Sequence, residues 1–379
     1  MVNITFRHYR EGDEKRIADL FNHAFKRKVI IRTPTNWNWR YVKSPGFEPE
    51  MCQIAEDSDK NKIVGTILVN LIETRTFDQK KYLIGDINDV STHPDYTKRG
   101  IATKLMEKSI NFMKQKGCDF SMLSTGLRGF ARSKIYQKFG YFDIEKEYYF
   151  IQIPNIIQLI RNFFGFAFFF PVLFSISYIP RFLNRLRIKF KKFFKDFTYE
   201  INYNKKHYEY MEAINRISPK NYEGYPEYNQ YKLNWARIKV PENNNRPTYI
   251  IIKKGSKIVG GAVITHQTVK ASKYKLKLQL GIIHEIFLDQ DFFRNEYNVC
   301  LGYIYLVDKI LKASTQRNLG ALLCTSSVKA NNLNQAFKQM SFIKIQNDVV
   351  MVKELKNNLE FPILKKPLYI PTYLSLGII

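Results

Sequence analysis

Short alternating apolar and polar runs are interspersed along this chain with stretches of helical periodicity. In the first part, strands are predicted at 4–6, 53–55, 62–69, 73–77, 83–90 and 120–124. A helix after Asp13, its predicted N-cap, turns Ile17, Leu20, Phe21 and Phe25 to the inward side. A second helix begins after Gly100 and carries Ala102, Leu105, Met106, Ser109 and Met113 on one face.

The second part of the chain repeats this order of elements. Strands are predicted at 249–253, 258–266, 278–288 and 321–325. A helix between the last two carries Val299, Tyr303, Leu306, Val307 and Ile310 on one stripe. A length of 379 residues also favours two domains, each large enough for its own core.

An uncharged, phenylalanine-rich run at 163–179 separates the two parts and is followed by a basic run up to Lys195. Its length approaches that of a membrane-spanning helix, but Pro171 interrupts it, and a span would place the two parts on opposite sides of a bilayer. Three readings stay open: a span, an interfacial or re-entrant anchor on anionic lipid, and a helical linker packed between the domains.

The segment from Asp86 to Met106 has the pattern of an anion-binding turn. An apolar strand ends at Pro94, which offers no N–H to a sheet, and a polar, basic turn at 95–99 leads into the helix after Gly100. Free N–H groups and the dipole make a helix N-terminus attractive to anions, and glycine permits close approach. Lys98, Arg99 and Lys104 add positive charge.

Residues 97–102 (Thr-Lys-Arg-Gly-Ile-Ala) resemble the acetyl-CoA motif of the GNAT N-acetyltransferase superfamily, Gln/Arg-x-x-Gly-x-Gly/Ala. Thr97 stands where the motif has Gln or Arg, which puts one side-chain contact to the pyrophosphate in doubt. Residues 132–142, with Tyr136 and Gly140, resemble the second GNAT signature at the expected distance. The segment around His93 is most similar to two-GNAT-domain proteins of the enhanced-intracellular-survival type.

This resemblance implies a fold of α/β (α+β) class, with two GNAT-like domains in tandem, each a mixed, mostly antiparallel sheet flanked by helices. The predicted boundaries are a catalytic GNAT domain at 1–150, an apolar and basic helical linker at 151–200, a degenerate GNAT-like domain at 201–356 and a tail at 357–379 that packs across the domains. In the second domain, Phe337 and Ser341 replace the signature tyrosine and glycine, and the acids at 289–296 would repel an anionic cofactor. We therefore expect it to be non-catalytic.

The resemblance also implies a set of site residues. The expected contacts to acetyl-CoA, the co-substrate, are Val90, Ser91, Thr92, Thr97, Lys98, Arg99, Gly100, Ile101, Ala102 and Thr103. Tyr136 is expected to protonate the departing thiolate, since a phenol is protonated at neutral pH, and backbone N–H groups near 90–92 to polarise the thioester carbonyl. Trp37 and Trp39 lie in a segment expected beside the acceptor, although core packing would equally explain each ring.

A primary ammonium must lose a proton before it can attack a thioester. Asp86 and Asp89 are the candidate bases, directly or through water, and Glu73 is a further one. Strand alternation places Asp86 and Asp89 on opposite faces, so at most one is expected to face the site. A salt-bridged or solvated role is open for each of the three.

The formal net charge of +26 is compatible with nucleic acid, an anionic membrane or an acidic substrate, and also with the residue bias of an AT-rich genome. We do not expect nucleic acid as a partner. If an anionic membrane surface is a partner, residues 163–195 are the segment expected to bind it. Four scattered cysteines and six isolated histidines give no metal-ligand pattern, and no signal peptide is visible, which suggests the cytoplasm.

The sequence therefore predicts an acetyl-CoA-dependent N-acetyltransferase that acts by direct transfer on a small-molecule or peptide amine. The alternative is a non-catalytic CoA-binding scaffold or membrane-surface binding protein. The identity of the acceptor and the oligomeric state are not encoded in any pattern found in the chain.

Overall fold

The computed structural model describes residues 3–25, 32–155, 170–203, 208–237, 247–271, 276–293 and 295–370. Within these ranges, strands from both parts of the chain join in a single mixed sheet. The strands are β1 Ile4–His8, β2 Cys52–Asp57, β3 Lys62–Phe77, β4 Lys80–Thr92, β5 Phe120–Gly126, β6 Phe142–Gln152, β7 Phe197–Asn202, β8 Tyr225–Pro226, β9 Thr248–Lys254, β10 Lys257–Ala271, β11 Leu276–Leu288, β12 Ala321–Ser327 and β13 Ile343–Glu354. The main helices are α1 Glu14–Ala24, α2 Pro34–Arg40, α3 Ile101–Gln115, α4 Phe170–Lys189, α5 Tyr208–Asn221, α6 Gln230–Arg237, α7 Glu296–Gln316 and α8 Asn331–Gln339.

The strand order shows that the two halves exchange their last strands. The order is β1-β2-β3-β4-β5-β13-β6-β12-β11-β10-β9-β7, with β8 paired to β3. Strand β13, from the end of the second half, pairs with β5 of the first half, and β6 pairs with β12 of the second half. Only β4–β5 and β11–β12 are parallel among the described pairs. The predicted α/β (α+β) class, mostly antiparallel and flanked by helices, is confirmed.

Three details of the first half differ from the sequence prediction. Phe25, predicted to face inward, lies at the end of α1 and is 48 % exposed. The two strands predicted at 62–69 and 73–77 are one continuous strand, β3, which turns into β4 through Asp78 and Gln79 at positive φ. Asp13 does precede α1, but its carboxylate makes no cap and instead binds Arg7 at 2.7 Å and Arg16 at 2.6 Å. Ion pairing thus outcompetes helix capping at this carboxylate.

The sheet buries apolar side chains on both faces. Helix α3 covers one face of the first half, where Ile101, Leu105 and Met113 pack with Ile87. The segment after β13 crosses the opposite face, with Leu368 in a cluster of the first half and Tyr369 in a cluster of the second. The end of the described chain thus runs over both halves.

A reciprocal pair of hydrogen bonds joins the halves on that opposite face. The indole of Trp39 on α2 donates to the Trp235 carbonyl at 3.2 Å, and the indole of Trp235 on α6 donates to the Trp39 carbonyl at 2.9 Å. The two rings lie 5.6 Å apart and are buried. Asn-Trp dipeptides at 38–39 and 234–235 thus occupy matching positions in the two halves.

The connector between the halves contains α4, whose buried Arg181 donates to the Ile153 carbonyl at 3.0 Å and whose Ile188 packs into the core of the second half. The first seven residues of the apolar run, 163–169, lie outside the described residues. Within the described ranges, no helix has the length and apolar character needed to cross a membrane. The predicted domain boundaries at 150, 200 and 356 stay a prediction, since the sheet is continuous across them.

Ser341 offers a test of the repeat between the halves. It has φ +63° at the position that Gly140, φ +81°, occupies in the first half, and this left-handed conformation disfavours side chains. Its hydroxyl donates a long, 3.4 Å bond to the Ser177 carbonyl. We expect Ser341→Gly to stabilise the fold by about 0.5–1 kcal/mol, measured by urea unfolding.

Ser133→Gly is the matched control. Ser133 lies in a helical turn, so glycine relieves no strain there, and we expect that variant to lose stability. A loss of stability in Ser341→Gly as well would contradict the strain assigned to residue 341.

Candidate active site: the split between β4 and β5

Strands β4 and β5 separate after three paired positions. They pair only from Ile84 with Phe120 to Asp86 with Met122, although β4 continues to Thr92 and β5 to Gly126. The resulting gap, here called the strand crevice, holds a cavity of about 50 Å³. Residues 86–88, residues 122–124 and Glu147 contribute to its lining. An extended molecule can therefore insert between the two strands without breaking a ladder.

The N-terminus of α3 opens beside this crevice without any cap. Gly100 has φ +74° and no side chain to bond the first turn, and Lys98 also has positive φ, at +60°. The backbone N–H groups of residues 98–103 donate no hydrogen bond within the described part of the chain. Residues 97–100 are exposed, so these donors can reach a ligand. Such a cluster of free N–H groups at the positive end of a helix dipole suits a phosphate or pyrophosphate.

Two glycines hold α3 close to the sheet. A Cβ on Gly65 of β3 would lie 2.6 Å from Ile101, and one on Gly85 of β4 would lie 2.5 Å from the sulfur of Met113. Both approaches are closer than a side chain tolerates, so the helix is seated where only glycine fits. The open N-terminus is therefore fixed in place by packing at both ends of the helix.

The other residues predicted to bind the cofactor lie next to these free N–H groups. Their contact with a cofactor stays a prediction. Val90, Ser91 and Thr92 end β4, and the buried Ser91 hydroxyl has no hydrogen-bond partner among the described residues. Thr97, which replaces the motif's Gln or Arg, donates its hydroxyl to the Pro94 carbonyl at 3.1 Å. Its side chain thus closes the preceding turn. Ala102 and Thr103 keep some exposure on the first turn of α3.

Tyr136 ends a π-helical turn, Arg132–Tyr136, and is 6 % exposed. It belongs to the same apolar cluster as Ile87 and Leu123, which line the strand crevice, and its ring packs 6.1 Å from that of Tyr141. Burial raises the pKa of Tyr136 to about 12. The phenol is therefore protonated at neutral pH, as a proton donor must be.

The predicted bases Asp86 and Asp89 both form ion pairs. Asp86 binds Arg75 at 2.7 Å, and burial raises the pKa of Asp86 although Arg75 opposes the shift. Asp89 binds Arg32 at 3.0 Å. Glu73 is also paired, with Arg75 at 2.9 Å and with Lys232. All three acids thus have a cationic partner.

The prediction that Asp86 and Asp89 lie on opposite faces is wrong. Asp89 has φ +46° within a bulge of β4, which interrupts the strict alternation of side chains. Its carboxylate reaches Arg32, which stacks on Phe21 of α1, on the face where Asp86 also lies. A bulge of this kind depends on tertiary pairing and leaves no reliable mark in the sequence.

Trp37 and Trp39 have packing roles in this structure. Trp37 is fully buried beside Tyr9 and Tyr41, with ring centroids 5.6 and 5.2 Å away, and Trp39 forms the reciprocal pair with Trp235. Of the two readings that the sequence left open, packing therefore accounts for both rings. Their role in acceptor binding stays a prediction.

Sequence reasoning missed Glu147, which lines the strand crevice from β6 and is fully buried. Glu145 and Glu147 alternate with the exposed Lys146, a pattern that marks the buried face of a strand as acidic. That signal was available, but only the exchange of β6 and β13 brings this strand next to the crevice.

The second half contains a corresponding split with different chemistry. Strands β11 and β12 pair only from Leu280 with Ala321 to Ile282 with Leu323, and a cavity of about 30 Å³ follows. Here the side chain of Asn295 caps α7 by accepting from the Asn298 N–H at 2.9 Å. Capping and the acidic first turn leave no comparable anion site.

Residues 5–142 match the family model described as acetyltransferase (GNAT) domain, so this part of the chain is similar in sequence to that family. No curated protein sequence matches the chain. The resemblance to the enhanced-intracellular-survival type stays a prediction.

Solved structures with a similar fold cover both halves of the chain. Saccharomyces cerevisiae N-myristoyltransferase with bound myristoyl-CoA has a TM-score of 0.66 at 10 % identity, covering 98 % of this chain and 90 % of that one. A GCN5-related N-acetyltransferase from Anabaena variabilis has a TM-score of 0.58 at 13 % identity, covering 93 % and 73 %. A probable N-acyltransferase from Enterococcus faecalis has a TM-score of 0.54 at 11 % identity, covering 94 % and 73 %. Together with the family match, these similarities support an acyltransferase.

The open N-terminus of α3 predicts a loss of anion binding on charge reversal. The double variant Lys98→Glu, Arg99→Glu places two carboxylates beside the free N–H groups, and we expect its affinity for CoA to fall at least about tenfold. Isothermal titration calorimetry at low salt measures this change. The double variant Lys338→Glu, Lys344→Glu changes the net charge equally on the second half and should bind CoA as the wild type does. Equal weakening in both variants would mean that only the overall charge matters.

Proposed function

We propose that this protein is an acetyl-CoA-dependent N-acetyltransferase that transfers the acyl group directly to an amine. The observation that supports this proposal most strongly is the uncapped N-terminus of α3, with free N–H groups at residues 98–103, beside the strand crevice. The diphosphate of CoA suits the free N–H groups of α3, and an extended pantetheine arm suits the strand crevice.

The chemistry assigns distinct roles along the crevice. The N–H groups of residues 90–92, at the end of β4, would stabilise the oxyanion that forms on the thioester carbonyl. The Tyr136 hydroxyl would donate its proton to the departing thiolate as the C–S bond breaks. The nitrogen of the acceptor attacks from the crevice, and no covalent enzyme intermediate is needed.

The second half would be non-catalytic and would complete the sheet and the acceptor side of the crevice. Phe337 has no hydroxyl to donate and is fully buried at the position corresponding to Tyr136. The N–H of Phe342 donates to the Phe337 carbonyl as that of Tyr141 does to the Tyr136 carbonyl, at 2.9 and 3.1 Å. We assign catalysis to the domain predicted at 1–150 alone, with 151–200 as the linker, 201–356 as the degenerate domain and 357–379 as the tail.

Replacement of Tyr136 by phenylalanine tests the acid role. We expect Tyr136→Phe to lower kcat by about 100-fold or more on the best amine of a panel of spermidine, an aminoglycoside and a lysine-containing peptide. The affinity for CoA should be unchanged, because the phenol is not part of the anion site. Release of CoA thiol from acetyl-CoA and from longer acyl-CoA donors provides the measurement and also reports the acyl preference.

Tyr141→Phe is the matched control, since Tyr141 is equally buried and bonds only the Ser121 hydroxyl, at 2.7 Å, among its hydroxyl contacts in the described chain. Equal kcat in wild type and Tyr136→Phe would remove the acid role. Tight CoA binding without turnover of any amine would favour the alternative, a non-catalytic CoA-binding scaffold.

Helix α4 supports a second candidate function, binding to an anionic membrane surface through 163–195. Large apolar side chains at helical spacing face solvent on it: Ile179 is 50 % exposed, Phe182 58 % and Leu183 57 %. Basic residues that are also exposed flank them, including Arg187 and Lys189. Apolar insertion together with lysine and arginine contacts is the combination by which amphipathic helices bind anionic lipid.

The cytoplasmic location of the protein stays a prediction.

Vesicle sedimentation tests the membrane proposal. We expect the wild type to pellet with phosphatidylserine-containing vesicles, and the double variant Phe182→Ser, Leu183→Ser to stay in the supernatant, because its apolar contacts with lipid are lost. The double variant Ile343→Ser, Ile363→Ser removes two other exposed apolar residues and should still pellet. Identical pelleting of all three proteins would exclude α4 as the lipid contact.

A further inference from the structure

Glu147 occupies the centre of the sheet because the two halves exchange strands. On β6, it pairs in register with Asp348 of β13 on one side and with Ser327 of β12 on the other. Directly opposed residues of neighbouring strands point to the same face. That face is the one on which Asp86 lies and across which Leu368–Ile370 run, and Glu147 lines the strand crevice there.

The carboxylate of Glu147 is buried without a cationic partner within the described part of the chain. The residue has no exposed surface, neither oxygen accepts a hydrogen bond of full geometry there, and the nearby Ser124 hydroxyl is a favourable contact that lowers the pKa of the carboxyl. An isolated buried charge costs several kcal/mol, so such groups are normally paired or functional. This one faces a cavity large enough for a small polar group.

The groups around Glu147 are mostly acidic. Asp348 accepts from the Tyr149 hydroxyl at 2.7 Å, Glu145 lies 3.8 Å from Lys329, and Asp86 holds Arg75 at 2.7 Å. The Ser124 hydroxyl lies near the carboxylate from β5, and Leu368–Ile370 contribute no charged group. Burial, with help from Asp348 and Glu145, raises the pKa of Glu147 to about 8.

Among the residues that the structure describes, no cation is left free to neutralise Glu147. Arg75 is already shared by Asp86 and Glu73, and Lys329 is closest to Glu145. A primary ammonium ion entering the crevice would supply the missing charge and three hydrogen-bond donors. The site thus selects a positively charged amine over an alcohol or a thiol.

We propose that Glu147 is the group that binds the acceptor as an ammonium ion in the strand crevice and removes its proton. This inference rests on the proposed function and extends it by naming the general base and the charge state in which the acceptor binds. Asp86, Asp89 and Glu73 serve this role less well, because each is neutralised by a resident arginine or lysine.

The proposed step balances in atoms and charge. The ammonium gives one proton to the Glu147 carboxylate and becomes a neutral amine. The nitrogen lone pair forms the N–C bond to the thioester carbonyl, and the C–S bond breaks with its electron pair on sulfur. Tyr136 gives its proton to that sulfur, and the second proton of the amine, released as the amide forms, returns to the Tyr136 oxygen. The proton on Glu147 then leaves to water.

The pH dependence of kcat/KM for the best amine of the panel tests this assignment. In the wild type, we expect activity to rise with an ionisation near pH 8 as Glu147 loses its proton. Glu147→Gln should lower kcat about 100-fold or more and abolish that ionisation, without changing the affinity for CoA. Glu145→Gln is the matched control, because Glu145 is buried on the same face of β6 but does not line the crevice. It should keep the wild-type kcat and retain an ionisation in the profile, at a somewhat lower pH, because Glu145 helps to raise the pKa of Glu147.

Thermal unfolding gives a readout that needs no substrate. The pKa of Glu147 is higher in the folded than in the unfolded chain, so ionisation of this residue destabilises the fold as the pH rises between the two values. Glu147→Gln should therefore melt above the wild type at pH 9 and equally at pH 4.

The possible failures are distinguishable. Turnover by the wild type with an unchanged rate and pH profile in Glu147→Gln would overturn the role of Glu147 and leave the acetyltransferase intact. Absence of turnover on any amine by the wild type would instead remove the proposed function. A Glu147→Gln protein that melts below the wild type at pH 9 would overturn the assignment of an unpaired, buried carboxylate.

Discussion

The pairing of β6 with β13 is the interaction on which the rest of the structure depends. Each strand leaves its own half, and the two pair with each other from Ile151 with Ile343 to Phe142 with Val352. Backbone hydrogen bonds therefore join the halves at the centre of one sheet. If the halves separated, the edges of β5 and β12 would be left without partners, which is costly in water and prone to aggregation. The reciprocal Trp39–Trp235 bonds add a second connection on one face.

The two halves share a framework but differ at the positions where chemistry would occur. In both, parallel strands part after three paired positions, with Gly85 and Gly281 at corresponding points. In the first half, a glycine in the left-handed conformation leaves the next helix uncapped, whereas Asn295 caps the helix of the second half. A cap satisfies the donors that an anion would need. The presence or absence of a capping side chain thus determines which of the two helix N-termini offers free N–H groups to an anion.

Local features of the site could be predicted from the sequence, because they depend on neighbouring residues. The strand before Pro94 and the helix after Gly100 lie where the spacing of apolar residues and the glycine indicated. These are short-range consequences of backbone conformation and periodicity. The mixed, mostly antiparallel sheet was implied by the resemblance to the GNAT superfamily.

Long-range pairing could not be predicted in this way. The exchange of β6 and β13 depends on contacts between residues about two hundred positions apart, for which no local pattern exists. The bulge that turns Asp89 toward Arg32 has the same origin, as does the placement of Glu147 beside the crevice. The sequence could not decide between burial and acceptor binding for Trp37 and Trp39, since a tryptophan in a polar segment fits a binding site as well as a core.

The distribution of charge across β4 explains how a protein of net charge +26 can hold an acidic pocket. Lys98 and Arg99 lie at the exposed N-terminus of α3, which packs on one face of the sheet through Gly85. Asp86, the next residue, points to the other face, where Glu147 lies. Exposed charges are screened over about 8 Å at physiological ionic strength, whereas buried carboxylates in a crevice are screened much less. The surface charge can therefore attract an anion on one face without repelling a cation from the other, and both faces adjoin the split between β4 and β5.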